Sequence, residues 1–176
     1  YEISRGCMYS CSYCVESIIQ RYYGFYKEND GVLLKAKEYL RNKSAKRVFE
    51  EISSLNRYYS INIFRCQDAN FLTVDRDVLY ELADLLDNSN LDIMLYIETR
   101  PEGINPKSVR LLKRLKVDGI GMGIEVSEER FRREYLNRFA SQKKITNAFR
   151  LLDEAGIKRT AYNIIGLPCQ TEEMIL

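Results

Sequence analysis

Apolar residues gather in five short segments along the chain, and several of these segments lack regular alternation with polar residues. Continuous apolar runs of this length are typical of strands that are covered on both faces, as in a parallel sheet. We therefore predict five buried strands, at residues 1–5, 61–66, 91–99, 117–126 and 157–167.

Between the strands, apolar residues recur at the spacing of a helix with one apolar face, for example Val78, Leu82 and Leu86. Asn105, which precedes a proline, predicts a helix start, and Gly156 predicts a helix end. The repeated alternation of strand and helix predicts an α/β fold with a parallel sheet and right-handed crossovers. An open doubly wound sheet and a barrel both satisfy this alternation, so periodicity alone does not separate them.

Two further segments have a weaker pattern. The aromatic run from Tyr22 to Tyr26, followed by polar residues 27–31, is interpreted as the end of a helix and a long loop near a substrate, with ordinary packing as the alternative. Basic residues at 110–116 and 130–138 are interleaved with apolar positions, and we interpret both groups as solvated helix faces.

Composition narrows the function classes. The chain has 176 residues without a linker-like stretch, which predicts one domain, and its net charge of +2 gives no indication of a nucleic-acid partner. The sequence contains no apolar run long enough to cross a bilayer and no signal-peptide pattern. The odd number of cysteines, 5, in a chain rich in Lys and Glu fits a reducing compartment, and we expect a cytoplasmic location.

Three of these cysteines, Cys7, Cys11 and Cys14, are crowded into eight residues with the spacing C-x3-C-x2-C. A structural zinc site needs four ligands, and the chain contains no histidine. An iron–sulfur cluster tolerates three thiolates, which leaves one iron open to a small molecule. An electron-transfer ferredoxin would need a fourth cysteine close by, whereas Cys66 and Cys169 are distant in sequence. Unrelated core or surface thiols are the remaining alternative.

This motif, with Tyr13 before its last cysteine, resembles that of the radical S-adenosylmethionine (SAM) superfamily. The resemblance implies a partial (β/α)6 barrel of parallel strands, similar to a TIM barrel, of which the chain contains about five units. It also implies that Cys7, Cys11 and Cys14 bind a [4Fe–4S] cluster, that the open iron binds SAM, and that Tyr13 lies beside the adenine. We expect residues 1–176 to be a fragment of this core that lacks the last unit.

Motifs at the predicted strand ends extend the resemblance to almost the whole chain. The turn at Asp68 is similar to the Asp-Asp-x-Phe turn of the cobalamin-binding branch, which implies that Asp68 lies near the SAM amino group; a turn-capping role is the alternative. Glu125, in Gly-Ile-Glu, resembles the ribose-contacting residue, and Arg138 is a candidate for the SAM carboxylate or a helix-end charge. After the third strand, Arg100 either meets a carboxylate ligand or forms a surface ion pair with Glu98.

The fifth strand ends in Gly166-Leu167-Pro168, which is similar to the turn that holds the adenine in this superfamily. Cys169 follows where the family has glycine, so a positive φ there would strain the backbone. The glycines of the fourth strand, Gly119, Gly121 and Gly123, would leave room for a ligand to approach the backbone.

The resemblance implies an enzyme, an oxidoreductase or a transferase. A low-potential electron donor similar to flavodoxin or ferredoxin would reduce the cluster, SAM would be cleaved, and the 5′-deoxyadenosyl radical would take hydrogen from an unknown substrate. No catalytic side chain is assigned. The alternatives are an iron–sulfur electron carrier or redox sensor, and a methylthiotransferase of the same superfamily. Cobalamin would have to come from a domain that precedes Tyr1.

Overall fold

The computed structural model describes residues 1–25 and 36–175, so residues 26–35, on which part of the predicted aromatic loop falls, lie outside the described residues. In chain order the strands and helices are β1 (Ser4–Arg5), α1 (Val15–Tyr22), α2 (Ala36–Tyr39), β2 (Arg41–Asn42), α3 (Ala45–Tyr59), β3 (Ile63–Arg65), α4 (Arg76–Asp87), β4 (Met94–Thr99), α5 (Pro106–Arg114), β5 (Val117–Glu125), α6 (Glu129–Glu134), α7 (Gln142–Glu154) and β6 (Lys158–Asn163).

The central sheet is parallel and has the strand order β3-β4-β5-β6. The start of the chain continues this sheet beside β3. The Tyr1 ammonium group donates to the Arg65 carbonyl at 2.7 Å, and the Gln67 N–H donates to the Tyr1 carbonyl at 2.7 Å, as in a parallel ladder. Four of the five predicted strands therefore form this parallel sheet, each shorter than expected, and the α/β fold class is confirmed. The first predicted strand is found as β1, but β1 pairs antiparallel with β2 in a separate two-stranded sheet.

One face of the sheet carries the apolar core. Helices α3, α4, α5 and α7 each bury apolar side chains against strand residues of that face, among them Leu95, Ile97, Ile120 and Met122. The predicted helix start is also present, since Asn105 caps α5 and accepts from the backbone N–H of Ser108 at 3.1 Å. None of the helices in the described ranges is long and apolar enough to cross a membrane.

The prediction that every strand is buried is wrong for β3, where two of three residues are exposed, and for β6. Five of the six residues of β6 are exposed, because it lies at the end of the strand order and pairs only with β5 within the described residues. Within the described residues, the sheet is therefore open at this edge.

Candidate active site

The three clustered cysteines lie on the loop between β1 and α1. Cys7 and Cys11 are buried, and Cys14 is partly exposed at the start of α1. The loop is fixed by Gln20 of α1, whose amide donates to the carbonyl oxygens of Cys7 at 2.5 Å and Tyr9 at 3.0 Å. No sequence motif pointed to Gln20, because an inward-facing glutamine on a short helix has no characteristic spacing.

A glycine directly before the first cysteine lets the loop turn. Gly6 has a φ of 91°, and an added Cβ would lie 2.8 Å from the Tyr39 carbonyl oxygen. Any other residue here would be strained and would collide with the backbone.

Burial and the neighbouring Cys11 affect the ionisation of the other two thiols. Burial raises the pKa of Cys7 to about 11, and burial also raises the pKa of Cys14; the charge of Cys11 adds to both shifts. Within residues 1–25 and 36–175, no group of three Cys, Asp or Glu side chains converges on a single metal-ion position. A four-iron cube binds each thiolate at a different iron, so its ligands need not converge on one point. The donor set is that of such a cluster.

Two arginines reach the sulfur of Cys11. Arg100 Nη1 donates to Cys11 Sγ at 3.0 Å, and Arg138 Nη1 lies 3.9 Å from the same atom. Both arginines are buried. The interpretation of residues 130–138 as a solvated helix face is therefore wrong for Arg138, whose side chain points inward from the segment after α6.

The predicted ion pair between Glu98 and Arg100 is also wrong. Glu98 pairs with Arg65 at 2.7 Å, while Arg100 pairs with Glu102 at 2.5 Å. Alternation along a strand would place residues 98 and 100 on the same face, but β4 ends at Thr99, so only Glu98 is held over the sheet. Arg100, two residues later, turns toward the cysteine loop.

Three residues proposed from the sequence meet in one network. The Tyr13 hydroxyl donates to Glu125 Oε1 at 2.7 Å, Arg138 Nη1 donates to the Tyr13 hydroxyl at 3.1 Å, and the guanidinium lies 3.4 Å from Glu125 Oε1. Burial, with a further contribution from Glu125, raises the pKa of Tyr13. Glu125 itself has a φ of 69°, at a register shift between β5 and β6. This strained backbone turns the carboxylate toward Tyr13 and Arg138.

Asp68 has a different set of partners. It is 1% exposed and accepts from the backbone N–H of Ser4 at 2.5 Å, from the Ser4 hydroxyl at 2.6 Å and from the Ile3 N–H at 3.2 Å. These bonds tie the first strand to the turn after β3. Burial raises the pKa of Asp68 in spite of these donors. Its contact with the SAM amino group stays a prediction.

The turn after β6 lies against the end of β5. The Ile164 N–H donates to the Glu125 carbonyl at 2.8 Å, and Leu167 packs on Val126 and Phe131. Gln170 closes the turn by accepting from the N–H groups of Gly166 and Leu167 at 2.8 and 3.1 Å. Pro168 and Cys169 follow within the same turn.

The two remaining cysteines differ from each other. Cys169 is exposed and has a φ of 66°, so the strain foreseen for a cysteine at a glycine position is present. Cys66 lies in the core, where burial raises the pKa of its thiol to about 12. A thiol this buried is inert toward small molecules.

The open face of the sheet is polar. The Tyr96 and Tyr162 hydroxyls are hydrogen-bonded at 3.0 Å. The room expected over the glycines is filled by the chain itself: a Cβ on Gly121 would lie 2.5 Å from the Tyr162 ring, and one on Gly119 would lie 2.8 Å from the Tyr96 ring. This face is the concave side of the partial barrel.

Sequence reasoning missed one fully buried arginine. Arg132 is 0% exposed, and its Nη1 donates to the carbonyl oxygens of Val126 at 2.6 Å and Ser127 at 2.7 Å. Its Nη2 donates to the Ala140 carbonyl at 3.3 Å. Arg132 thus holds the loop that follows Glu125. It sits among basic residues with the same spacing as a solvated face, so its sequence context gave no signal.

A family model described as Radical SAM superfamily matches residues 1–176. No curated protein matches the sequence. A solved structure of the radical SAM methyltransferase TsrM from Kitasatospora setae, with tryptophan substrate and a SAM analogue bound, is 18% identical with a TM-score of 0.76; the match covers 99% of this chain and 31% of TsrM. The cobalamin-dependent SAM radical enzyme OxsB is 18% identical with a TM-score of 0.69, over 94% of this chain and 23% of OxsB.

The fold is also shared with coproporphyrinogen III oxidase (HemN) from Escherichia coli, which is 18% identical with a TM-score of 0.56 over 76% of this chain and 34% of HemN. The chain therefore spans about a third or less of the length of TsrM, OxsB and HemN. Likeness at this identity establishes the fold, a partial barrel open at β6.

Proposed function

Because this chain belongs to the radical SAM superfamily, we propose that it forms the core of an enzyme that binds a [4Fe–4S] cluster and SAM. One observation carries the proposal. The loop with Cys7, Cys11 and Cys14 lies directly beside two buried arginines and the Tyr13–Glu125 pair. A carrier that only stored an electron would not need a buried carboxylate beside its cluster loop.

The residues fit the cluster chemically. Three thiolates and a four-iron cube leave one iron without a protein ligand. The cube and its thiolates carry net negative charge, and the buried guanidinium of Arg100 supplies a compensating positive charge at Cys11. Among the described residues, the buried Nε atoms of Arg100 and Arg138 have no hydrogen-bond partner, so both side chains keep a donor that a ligand at this site could use.

We assign SAM to the space beside this loop. Glu125 would accept hydrogen bonds from the ribose hydroxyls, and Arg138 would bind the carboxylate. Tyr13 and the turn Gly166-Leu167-Pro168 would contact the adenine. The hydrogen bond from Ile164 to the Glu125 carbonyl supports this assignment, because it joins the proposed adenine and ribose residues into one surface.

The cluster, when bound, supplies the electron that breaks a carbon–sulfur bond of SAM and so yields the 5′-deoxyadenosyl radical for hydrogen abstraction. The chain's own residues bind and orient. Gln20 fixes the cysteine loop, Arg132 fixes the loop after Glu125, and Asp68 fixes the first strand to the sheet. None of these residues needs to exchange a proton during the reaction, so no general base is assigned.

A radical SAM enzyme needs a reductant and a substrate. We propose a low-potential donor of the flavodoxin or ferredoxin type, and a reducing compartment, the cytoplasm, in which the three cysteines stay free for iron. TsrM has been solved with cobalamin and a [4Fe–4S] cluster, and OxsB is cobalamin-dependent. These relatives support a cobalamin-binding domain elsewhere in the full-length protein. Residues 1–176 would then be its radical SAM core domain.

The test is anaerobic reconstitution with iron and sulfide. The parent should bind about four irons per chain. Cys7→Ala, Cys11→Ala and Cys14→Ala should each lose the oxygen-sensitive visible absorption, whereas Cys169→Ser, a matched control at an exposed thiol, should keep it. Equal cluster content in all five proteins would refute the assignment.

A second assay separates the enzyme from its alternatives. With a strong reductant and SAM, the full-length protein should release 5′-deoxyadenosine and methionine. A reducible, fully loaded cluster that never consumes SAM would identify an electron carrier or redox sensor instead. A second cluster in the full-length protein would favour the methylthiotransferase.

A further inference from the structure

Arg100 is held in one orientation by three different contacts. Its Nη1 donates to Cys11 Sγ at 3.0 Å, and its Nη2 pairs with Glu102 Oε1 at 2.5 Å. The centre of the guanidinium lies 3.9 Å from the centroid of the Tyr9 ring, in a cation–π contact. A planar guanidinium group that is in contact on one face and bonded at two of its nitrogens has little freedom to turn toward another ligand.

This arrangement is costly for a structural ion pair. The side chains of Arg100 and Glu102 are only 9% and 17% exposed. Arg100 Nε and Glu102 Oε2 are buried without a hydrogen-bond partner among the described residues. Burying two charged groups that each keep an unsatisfied hydrogen-bonding atom costs free energy, and their single mutual contact does not fully compensate for that cost. The sulfur of Cys11 is the remaining partner of the guanidinium.

Cys11 is distinguished from the other two cysteines. In the part of the chain that the structure describes, side-chain hydrogen bonds to a cysteine sulfur are found at Cys11, from Arg100 and, at 3.9 Å, from Arg138. Arg138 also bonds to the Gly123 carbonyl at 2.5 Å and to Tyr13. Arg100 therefore makes the shorter and better-defined contact with the sulfur.

We propose, on the basis of the proposed function, that Arg100 is a positioning residue that raises the reduction potential of the cluster through its hydrogen bond to the Cys11 thiolate, and that Glu102 limits this effect. Reduction moves one electron from a one-electron donor, which is oxidised, onto the cluster; no covalent bond or proton is exchanged. The added negative charge spreads onto the thiolates. Hydrogen bonds and charges near the sulfurs are known to shift the reduction potential of an iron–sulfur cluster, and burial strengthens both effects.

Arg100 and Glu102 have opposite expected effects, which gives the proposal a distinctive signature. Arg100→Gln removes the positive charge beside the sulfur and leaves Glu102 uncompensated, so reduction becomes harder. Glu102→Gln removes the compensating negative charge and leaves the guanidinium in place, so reduction becomes easier. A residue pair that only supported the fold would not produce this pair of opposite shifts.

The experiment is a redox titration of the reconstituted full-length protein under anaerobic conditions, followed by electron paramagnetic resonance of the reduced cluster. We expect Arg100→Gln to lower the equilibrium constant for reduction at least tenfold, which for a one-electron couple is about 59 mV. Glu102→Gln should raise the potential. Arg65→Gln is the matched control, because Arg65 is exposed and pairs with Glu98 rather than with a group of the cysteine loop.

The outcomes separate this inference from the proposed function. A parent protein that binds no cluster refutes the proposed function itself. A parent that binds the cluster, with Arg100→Gln and Glu102→Gln at the parent potential, overturns the role of Arg100. If Arg100→Gln does not retain the cluster, the redox titration is made with Arg100→Lys, which keeps the charge, and with Glu102→Gln. An unchanged reduction potential in Glu102→Gln then overturns the proposal.

Discussion

Replacing Glu125 by glutamine tests whether its carboxylate binds SAM or only supports the loop after β5. The substitution keeps the side-chain length, so the contact with the Tyr13 hydroxyl at 2.7 Å can persist with a neutral acceptor. What disappears is the negative charge 3.4 Å from the Arg138 guanidinium. Arg138 keeps its bonds to the Gly123 carbonyl and to Tyr13, so it is not left without partners.

The magnitudes of the two effects differ. Hydrogen bonds to a charged acceptor contribute about 1.5–3 kcal/mol, so a ribose contact of this kind lost on substitution should weaken SAM binding roughly tenfold to a hundredfold. Loss of the buried charge pair alone should lower the free energy of unfolding of the cluster-free protein by about 1–2 kcal/mol, less than the 3–5 kcal/mol typical when a partner is stranded.

The assay is a titration of SAM into the reconstituted protein, followed through the paramagnetic resonance of the reduced cluster, together with urea unfolding of the cluster-free chain. Glu134→Gln is the control, since Glu134 forms an exposed pair with Arg130 one helical turn away. A parent-like affinity for SAM in Glu125→Gln, even with lowered stability, would show that Glu125 is a structural residue and refute the ribose assignment.

Two further predictions concern the supports of the site. Arg132→Met should lower the free energy of unfolding by at least about 3 kcal/mol, because the buried carbonyls to which Arg132 donates lose their hydrogen-bond donor. The control, Arg130→Met at an exposed position, should change the free energy of unfolding by less than about 0.5 kcal/mol. Urea unfolding curves with comparable midpoints and slopes for the two variants would contradict this prediction. Hydrogen bonds from Lys43 and Tyr1 lower the pKa of Glu51 to about 2, so its stabilising contribution is present above the ordinary carboxyl pKa and is lost as pH falls toward 2. The difference in unfolding free energy between the parent and Glu51→Gln should therefore shrink between about pH 5 and pH 2, and a pH-independent difference would refute that coupling.

The sequence predicted the strand positions from apolar runs, and the parallel arrangement from the helices between them. These runs did not separate the edge strand from the buried strands. The segment at 157–167 owes its apolar character largely to Ile157, Ile164, Ile165 and Leu167, which lie outside β6. The strand itself, Lys158–Asn163, is mostly polar, in keeping with the exposure of five of its six residues.

The residues around the cysteines also divide into those that the sequence predicted and those that it did not. The three cysteines stand out by spacing, and Glu125 by its position in a motif. By contrast, the partners of Arg100 depend on where the chain turns after β4, and neither Glu102 nor Tyr9 has a sequence signature. The burial of Arg132 depends on how α6 packs on the loops around it. Charge spacing alone made α6 look like a solvated helix.

Buried charged residues occur in two settings, because Arg132 and Asp68 bond mainly to backbone groups and support the fold, whereas others gather near the cysteine loop. The core beneath the sheet is apolar and needs no charges to be stable. Near the carboxyl ends of β4 and β5, by contrast, Arg100, Glu125 and Arg138 are buried and Glu102 is partly buried, each within reach of another of these residues or of the Cys11 sulfur. Apolar residues of similar volume would stabilise such positions equally well or better. These charges therefore support the two proposed ligands, an anionic cluster at the cysteine loop and a polar molecule beside Glu125.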